Sequence, residues 1–487
     1  MKYGVNLIIF RLYKFIKLKI LLMKIKLTLL FGLFASSSYS QALTTPTLQA
    51  LANSIKQYHP QMQAMIAKRK QAGFAELEAQ GAFDANISQT TQLRLSGYYD
   101  GQYLEQTISQ PLQGMNAEIF GTYRISDGNF PEYDGYNETL SGGEVNVGVS
   151  FSLLQNRDTD ARRVGLSNAE QTLKNWQAQE HHYLNTLLLK GVNTYLNWYQ
   201  EALQAQVINH LVQTTQLRLS AIKQRVEKGD LARISLTEFQ TTLLQRQILQ
   251  QQAQRNLVVT KQSLSYFWRD SSGEMHRGDQ ISDLPEHINW PLGIEKSMLA
   301  QIDRNIAQHP QIKALKAERV VARNQMSLAD NKLLPTLDVK LSVAQDFGHG
   351  TESLYGTESK VALNFSVPLG QRTAKAQRGA ARQKVRELDY ALKALADQLQ
   401  QAQHQAWQSL HFAKSLAELR KQQTQVADQL WQQELMRFDA GDSDLFLLNN
   451  REATAIEAKL SAIRANVSVY RQELQIWATS GLLRNQI

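Results

Sequence analysis

The chain has 487 residues, no cysteine and a formal net charge of +9. Residues 1–40 hold seven of the 53 basic residues and no acid, which leaves 46 basic against 44 acidic residues in the rest of the chain. The balance beyond the N-terminus is near neutral, so no nucleic-acid partner is expected. Without cysteine, disulfides and a lipid-modified cysteine anchor are excluded, and the protein is expected not to be a lipoprotein.

Met23-Lys24-Ile25-Lys26, the apolar run Leu27 to Phe34 and the small residues Ala35 to Ser40 form a basic end, a short apolar core and a cleavable end. These are the parts of a secretory leader. Residues 1–42 are therefore expected as leader, cut after Ser40 or Ala42, with Met23 an alternative start. No later stretch is apolar enough to span a bilayer as a helix.

A first helix is expected from about Thr45 to Ala79, interrupted at His59-Pro60. The periodicity then changes to two. Ala85 to Ile87, Leu93 to Leu95 and Met115 to Ile125 alternate, as do Val145, Val147, Val149, Phe151 and Leu153 against Asn146, Gly148, Ser150 and Ser152. Each such run is a strand with one apolar and one polar face. The stretch from Tyr103 to Ile125 is an additional alternating segment, which lengthens a strand or forms an outer loop. Tyr98, Tyr99, Tyr103 and Tyr123 are candidates for an aromatic interface girdle. A long helix is expected from about Thr159 to the turn Lys228-Gly229-Asp230-Leu231, followed by a shorter one to Trp268.

The same order returns. His309-Pro310-Gln311-Ile312 matches His59-Pro60-Gln61-Met62, and Arg437 to Asp442 matches Arg225 to Asp230. Leu337, Val339, Leu341 and Val343 alternate, as do Val361, Leu363, Phe365 and Val367. From Thr373 a proline-free helical hairpin runs to Ser480, broken at Ala440-Gly441-Asp442-Ser443-Asp444. Leu388, Leu392, Leu395, Leu399, Ala402, Ala406, Leu410 and Ala413 form one apolar helix face. The outgoing arm, about 65 residues or roughly 97 Å, is about twice the length of the returning one. Two short helices laid end to end against each long one would cover its stripe. The expected organisation is leader 1–42, first repeat 43–270, linker 271–300 and second repeat 301–482.

No phosphate-binding glycine loop or nucleophile elbow occurs, and His404 and His411 stand too far apart on one helix face to share a metal. No enzymatic activity, cofactor or metal is expected. Strands of about ten residues match a tilted outer-membrane span, although a small sheet packed on the helices has the same periodicity. Two strand pairs cannot close a membrane barrel alone, so strands in a membrane would require several chains to share one.

The duplicated order, the turns at Gly229 and Gly441, the run Val147 to Asn156 leading into Arg157, and Leu363-Asn364-Phe365-Ser366-Val367-Pro368-Leu369-Gly370 resemble the TolC-like outer membrane efflux proteins. The likeness covers nearly the whole mature chain. It implies an α+β membrane protein, a homotrimer whose shared twelve-stranded β-barrel joins a long periplasmic α-helical barrel. It also implies an outer-membrane exit duct serving efflux or type I secretion. Its partners would be a periplasmic adaptor (membrane fusion protein), an inner-membrane transporter and outer-membrane lipid. In that family acidic residues often follow the second-repeat glycine by about six and nine positions; here those positions are Leu447 and Asn450. Asp442 and Asp444, with Asn450, are therefore the candidate entrance residues. The turn residues Gly229, Asp230, Leu231, Gly441, Asp442 and Ser443 are the candidate adaptor contacts. The rival reading is a periplasmic coiled-coil scaffold or adaptor without a pore.

Overall fold

The computed structural model describes residues 47–281, 288–294 and 306–487. The expected leader, 1–42, part of the expected linker and the first five residues of the second repeat expected at 301–482 lie outside the described residues.

Helix α1 (Leu48–Tyr58) begins where Thr47 Oγ1 accepts a hydrogen bond from the Ala50 amide at 3.1 Å. It stops at His59 because Pro60 disfavours helical backbone in the residue before it and opens the next helix itself. That helix is α2 (Pro60–Gln80). The same device, His309 followed by Pro310, opens α5 (Pro310–Asn331), and His309 Nδ1 accepts from the Gln311 amide at 3.3 Å. The long helices are α3 (Ala161–Glu227) and α6 (Arg372–Ala440), and each is returned by a shorter one, α4 (Arg233–Ser265) and α7 (Leu445–Thr479). Asp160 caps α3 by accepting from the amides of Arg162 at 2.8 Å and Arg163 at 3.0 Å. At 67 and 69 residues the long helices each extend about 100 Å.

Helices α2 and α4 both pack on α3, and α5 and α7 both pack on α6. Helix α3 also packs on α5 and α7, so neighbouring helices lie side by side as α2, α3, α5, α6 toward the strands and α4, α3, α7, α6 toward the turns. The largest core joins Leu51 and Ile55 of α1, Leu188, Tyr195 and Trp198 of α3, and Leu474 and Trp477 of α7. The stretch expected as a polar linker sends two apolar anchors into this core, Ile281 and Leu292, both fully buried. Trp477 Nε1 donates to the Leu292 carbonyl at 3.1 Å, and Trp290 Nε1 donates to Glu473 at 2.9 Å.

The strands form one antiparallel meander in chain order: β1 (Asn86–Gln92), β2 (Gln102–Pro111), β3 (Ala117–Asp127), β4 (Glu144–Ser152), β5 (Thr336–Asp346) and β6 (Thr357–Ser366). The β4–β5 pairing joins the first half of the chain to the second, with Val147 opposite Val343 and Val149 opposite Leu341. The sheet departs from expectation in its strand count. A twelve-stranded barrel shared by three chains takes four strands from each, whereas this sheet has six. The segment from Tyr103 to Ile125 is neither a long strand nor an outer loop. It turns back between Pro111 and Ala117, where the Leu112 amide donates to the Ala117 carbonyl at 2.8 Å. Gly114 and Asn116 supply the turn residues.

Candidate functional site

Two regions carry functional potential: the helix turns and the sheet. At the first turn Gly229 has φ 86°, and at the second Gly441 has φ 85°, left-handed values that favour glycine. At each turn an amide reaches back to an arginine carbonyl, Asp230 N to Arg225 O at 2.9 Å and Asp442 N to Arg437 O at 2.8 Å. The matching sequences thus close the hairpins in the same way. A small apolar cluster brings the turns together: Ile222 of α3, Phe239 of α4, Phe438 of α6, and Leu445 and Leu448 of α7, with Leu231 packed against it. The Arg225 guanidinium sits 5.4 Å from the Phe438 ring centre.

The candidate entrance residues differ in their contacts. Asp444 caps α7, its Oδ1 accepting from the Leu447 amide at 2.7 Å. Asp442 is exposed, and its carbonyl accepts from Arg437 at 3.1 Å. The Ser443 hydroxyl donates to the buried Glu434 carboxylate. Asn450 is exposed and stands about two turns into α7, on a surface groove of about 740 Å³ between α4 and α7.

Beside that groove lies a charged cluster that sequence reasoning missed. The Glu452 side chain is 1% exposed, and its Oε2 accepts from Arg218 at 2.9 Å and from Arg246 at 2.7 Å. Arg246 also donates to Thr215 Oγ1 at 2.5 Å, and Thr215 in turn donates to the Leu211 carbonyl at 2.6 Å. Burial pulls the Arg246 guanidinium below its usual value, and Glu452 opposes that pull. The cluster ties α3, α4 and α7 together a short distance from the turns. A signal existed. Arg246 falls in the buried row Phe239, Arg246, Ala253, and Glu452 in the row Leu445, Leu448, Glu452, Ala455, so each is a charge in an otherwise apolar helix stripe.

The sheet is amphipathic across all its strands. Register places Ile87, Ile108, Gly121, Val147 and Val343 in one row, and Ile119, Val149, Leu341 and Val361 in the next. This apolar face is uncovered: Ile87 is 71% exposed, Val147 54% and Val361 70%. The opposite face holds Glu105, Arg124, Glu144 and Asp346 in one row across four strands. Arg124 pairs with Glu105 at 2.8 Å and with Glu144 at 3.7 Å, and Lys340 Nζ stands 4.2 Å from the Phe120 ring centre. Of the tyrosines expected as a girdle, Tyr123 alone lies on the apolar face. Tyr103 lies on the polar one, and Tyr98 and Tyr99 fall in the β1–β2 loop, where Tyr99 meets Arg94, Asp134, Phe130 and Tyr133.

Both lateral margins are open. Among the described residues the outer edges of β1 and β6 have no strand partner. Helix α4 exposes Leu244, Ile248, Val258 and Val259, and α6 exposes Phe412, Leu416, Leu419 and Val426. Among the described residues no helix is long and apolar enough to cross a membrane.

The same arrangement occurs in solved structures. Over 92% of this chain and 92% of the other, it aligns with the outer-membrane channel OprN, at a TM-score of 0.62 and 13% identity. The open-state MtrE outer membrane channel of Neisseria gonorrhoeae aligns over 92% of this chain and 95% of its own, at a TM-score of 0.62 and 14% identity. The outer membrane protein VceC of Vibrio cholerae aligns over 89% and 96%, at 0.62 and 13%. The chain has the outer-membrane channel fold. This is the fold implied by its resemblance to TolC-like proteins. No protein-family model and no curated protein matches the sequence.

Proposed function

We propose that the protein is an outer-membrane exit duct built from three copies of this chain. The observation that carries the reading is the sheet: one face is apolar and exposed, the other is polar, and both edge strands are unpaired. A six-stranded sheet with open edges is not tolerated in hydrocarbon, because its free amides and carbonyls would have no partner. Closing a ring of copies satisfies both edges at once. The helix margins support the same ring, since the exposed stripe of α4 on one copy and that of α6 on the next cover each other. The long helices α3 and α6, each about 100 Å, with the shorter helices packed on them, then continue the barrel as a periplasmic tube.

In this reading an inner-membrane transporter and a periplasmic adaptor deliver cargo to the helix turns, for efflux or type I secretion. Gly229, Asp230, Leu231, Gly441, Asp442 and Ser443 form the surface that the adaptor meets. Asp442, exposed at the turn, is the group that would ring the entrance with negative charge. Asp444 is engaged as the cap of α7 and contributes to that charge from behind it. The groove beside Asn450 opens next to the same entrance.

Fractionation followed by planar-bilayer recording tests the reading. Recovery in the outer membrane with stepwise channel conductance is the expected result. Recovery in the soluble periplasm without conductance would favour a coiled-coil scaffold instead.

A further inference from the structure

We infer that the shared barrel contains eighteen strands, six from each of three copies, closed by β1 of one copy pairing with β6 of the next. The inference rests on the exit-duct reading and adds a wall composition that the resemblance alone does not give. Three observations support it.

The first is continuity. Strands β1 and β2 extend the ladder of β3 without interruption, from Asn86 opposite Ser109 to Gln92 opposite Tyr103, and from Gln102 opposite Asp127 to Pro111 opposite Glu118. A hairpin folded away as a plug or an outer loop would leave β3 as the sheet margin. Here β3 is paired on both sides.

The second is polarity. The added strands keep the two faces of the rest of the sheet. Ile87, Leu104 and Ile108 lie on the apolar face, and Thr90, Glu105 and Thr107 lie on the polar one. Two amides on the apolar face, Gln89 and Gln106, hydrogen-bond to each other at 2.9 Å, and their row also holds Gln345 and Thr357. A shared polar row that includes Tyr123 fits the level of a membrane interface. On the lumen side, Thr107 and Thr122 bond at 3.1 Å and Arg124 bonds Glu105 at 2.8 Å, so the added pair is stitched into the wall.

The third is the margins. Strand β6 is exposed along its whole length, and so is β1. Neither contains proline, so every outward-facing amide on each edge, at alternate residues, can donate to a partner strand. The only occupant that satisfies both edges in a closed ring is another copy of the chain, head to tail. Barrel diameter grows roughly linearly with strand number, so eighteen strands enclose a lumen about half as wide again as twelve.

Disulfide mapping tests the strand count on a clean background, because the chain has no cysteine of its own. Thr90→Cys on β1 is combined with a scan of the lumen-facing β6 positions Glu358, Lys360, Ala362 and Asn364, each changed to Cys in turn. A parallel series replaces Thr90→Cys with Thr122→Cys on β3. Oxidation of outer membranes is expected to cross-link neighbouring copies through β1 and β6 at one or two adjacent scan positions, and to give no product from β3. Cross-links between β3 and β6, or a trimer with no β1–β6 product at any position, would overturn the eighteen-stranded wall and leave the duct standing. A monomeric mass in detergent would overturn the duct itself.

Discussion

Glu452 on α7 and Arg246 on α4 lie 2.7 Å apart, with side chains 1% and 7% exposed. They bind two helices that each pack on α3, and Arg218 of α3 completes the contact at 2.9 Å. Removing one partner of a buried ion pair leaves an uncompensated charge, whereas replacing the pair by apolar residues of similar volume is often close to neutral. Glu452→Ala should therefore cost about 3–5 kcal/mol of helical stability. The double replacement Arg246→Met, Glu452→Leu should cost less than either single change, since the Arg218 head, 15% exposed, can turn toward water. Denaturant titration followed by circular dichroism measures both. Equal losses for single and double variants would show that the cluster is not acting as a unit.

The turn glycines separate folding from contact with a partner. A Cβ at Gly229 or Gly441 would meet nothing within 4 Å, and both turns are exposed. A bulky residue there costs only left-handed backbone strain, about 1–2 kcal/mol each. Gly229→Phe with Gly441→Phe should leave assembled protein in the membrane and abolish transport, if these turns meet an adaptor. Loss of the assembly would instead assign the glycines a folding role alone.

Asp442 and Asp444 can both be neutralised without disturbing the turn, because asparagine caps a helix about as well as aspartate. The Asp442→Asn, Asp444→Asn protein should fold and insert normally, and its cation preference in bilayer recordings should fall. Unchanged reversal potentials would remove these residues from the entrance.

Two buried histidines predict an acid sensitivity. His59 stacks on Phe267 and meets Tyr266 edge-on, and burial, with the nearby Arg269 charge, lowers its pKa to about 4. His309, beside His182, is lowered to about 4 chiefly by burial. Both rings stay neutral in the fold while the unfolded chain takes up protons near pH 6.5. Their contribution is therefore complete above about pH 6.5, declines toward about pH 4, and does not decline further below it. The loss amounts to about 3 kcal/mol per ring at most. His59→Phe should reduce, without abolishing, the pH dependence of the melting temperature across that window, because His309, His182 and His181 are lowered as well. A slope identical to wild type would place the sensitivity elsewhere.

The sequence revealed the strands best where alternation was cleanest. Val145 to Phe151 and Leu337 to Val343 have an apolar residue at every second position, and they form β4 and β5. Strands β1 and β2 put Gln89, Thr91, Gln106 and Gln110 on the same face as Ile87 and Ile108, which blurs the period. The turn at 112–116 was hidden for that reason, and with it the six-stranded sheet. The long helices were legible because no proline interrupts them and the turns at Gly229 and Gly441 mark their ends. Arg246 and Glu452 were not, since a single charged residue within a helical stripe looks like surface until a second helix is known to bring its partner. Asp444 was readable as a turn acid but not as a cap, because the first residue of α7 had to be fixed before its side chain could be assigned.

The most direct measurement is the mass of the protein extracted from the outer membrane, corrected for bound detergent. A mass of three mature chains is predicted, since the open edges of β1 and β6 and the exposed stripes of α4 and α6 need neighbours on both sides. A single chain, stable and dispersed in detergent, would contradict the shared barrel and with it the exit duct.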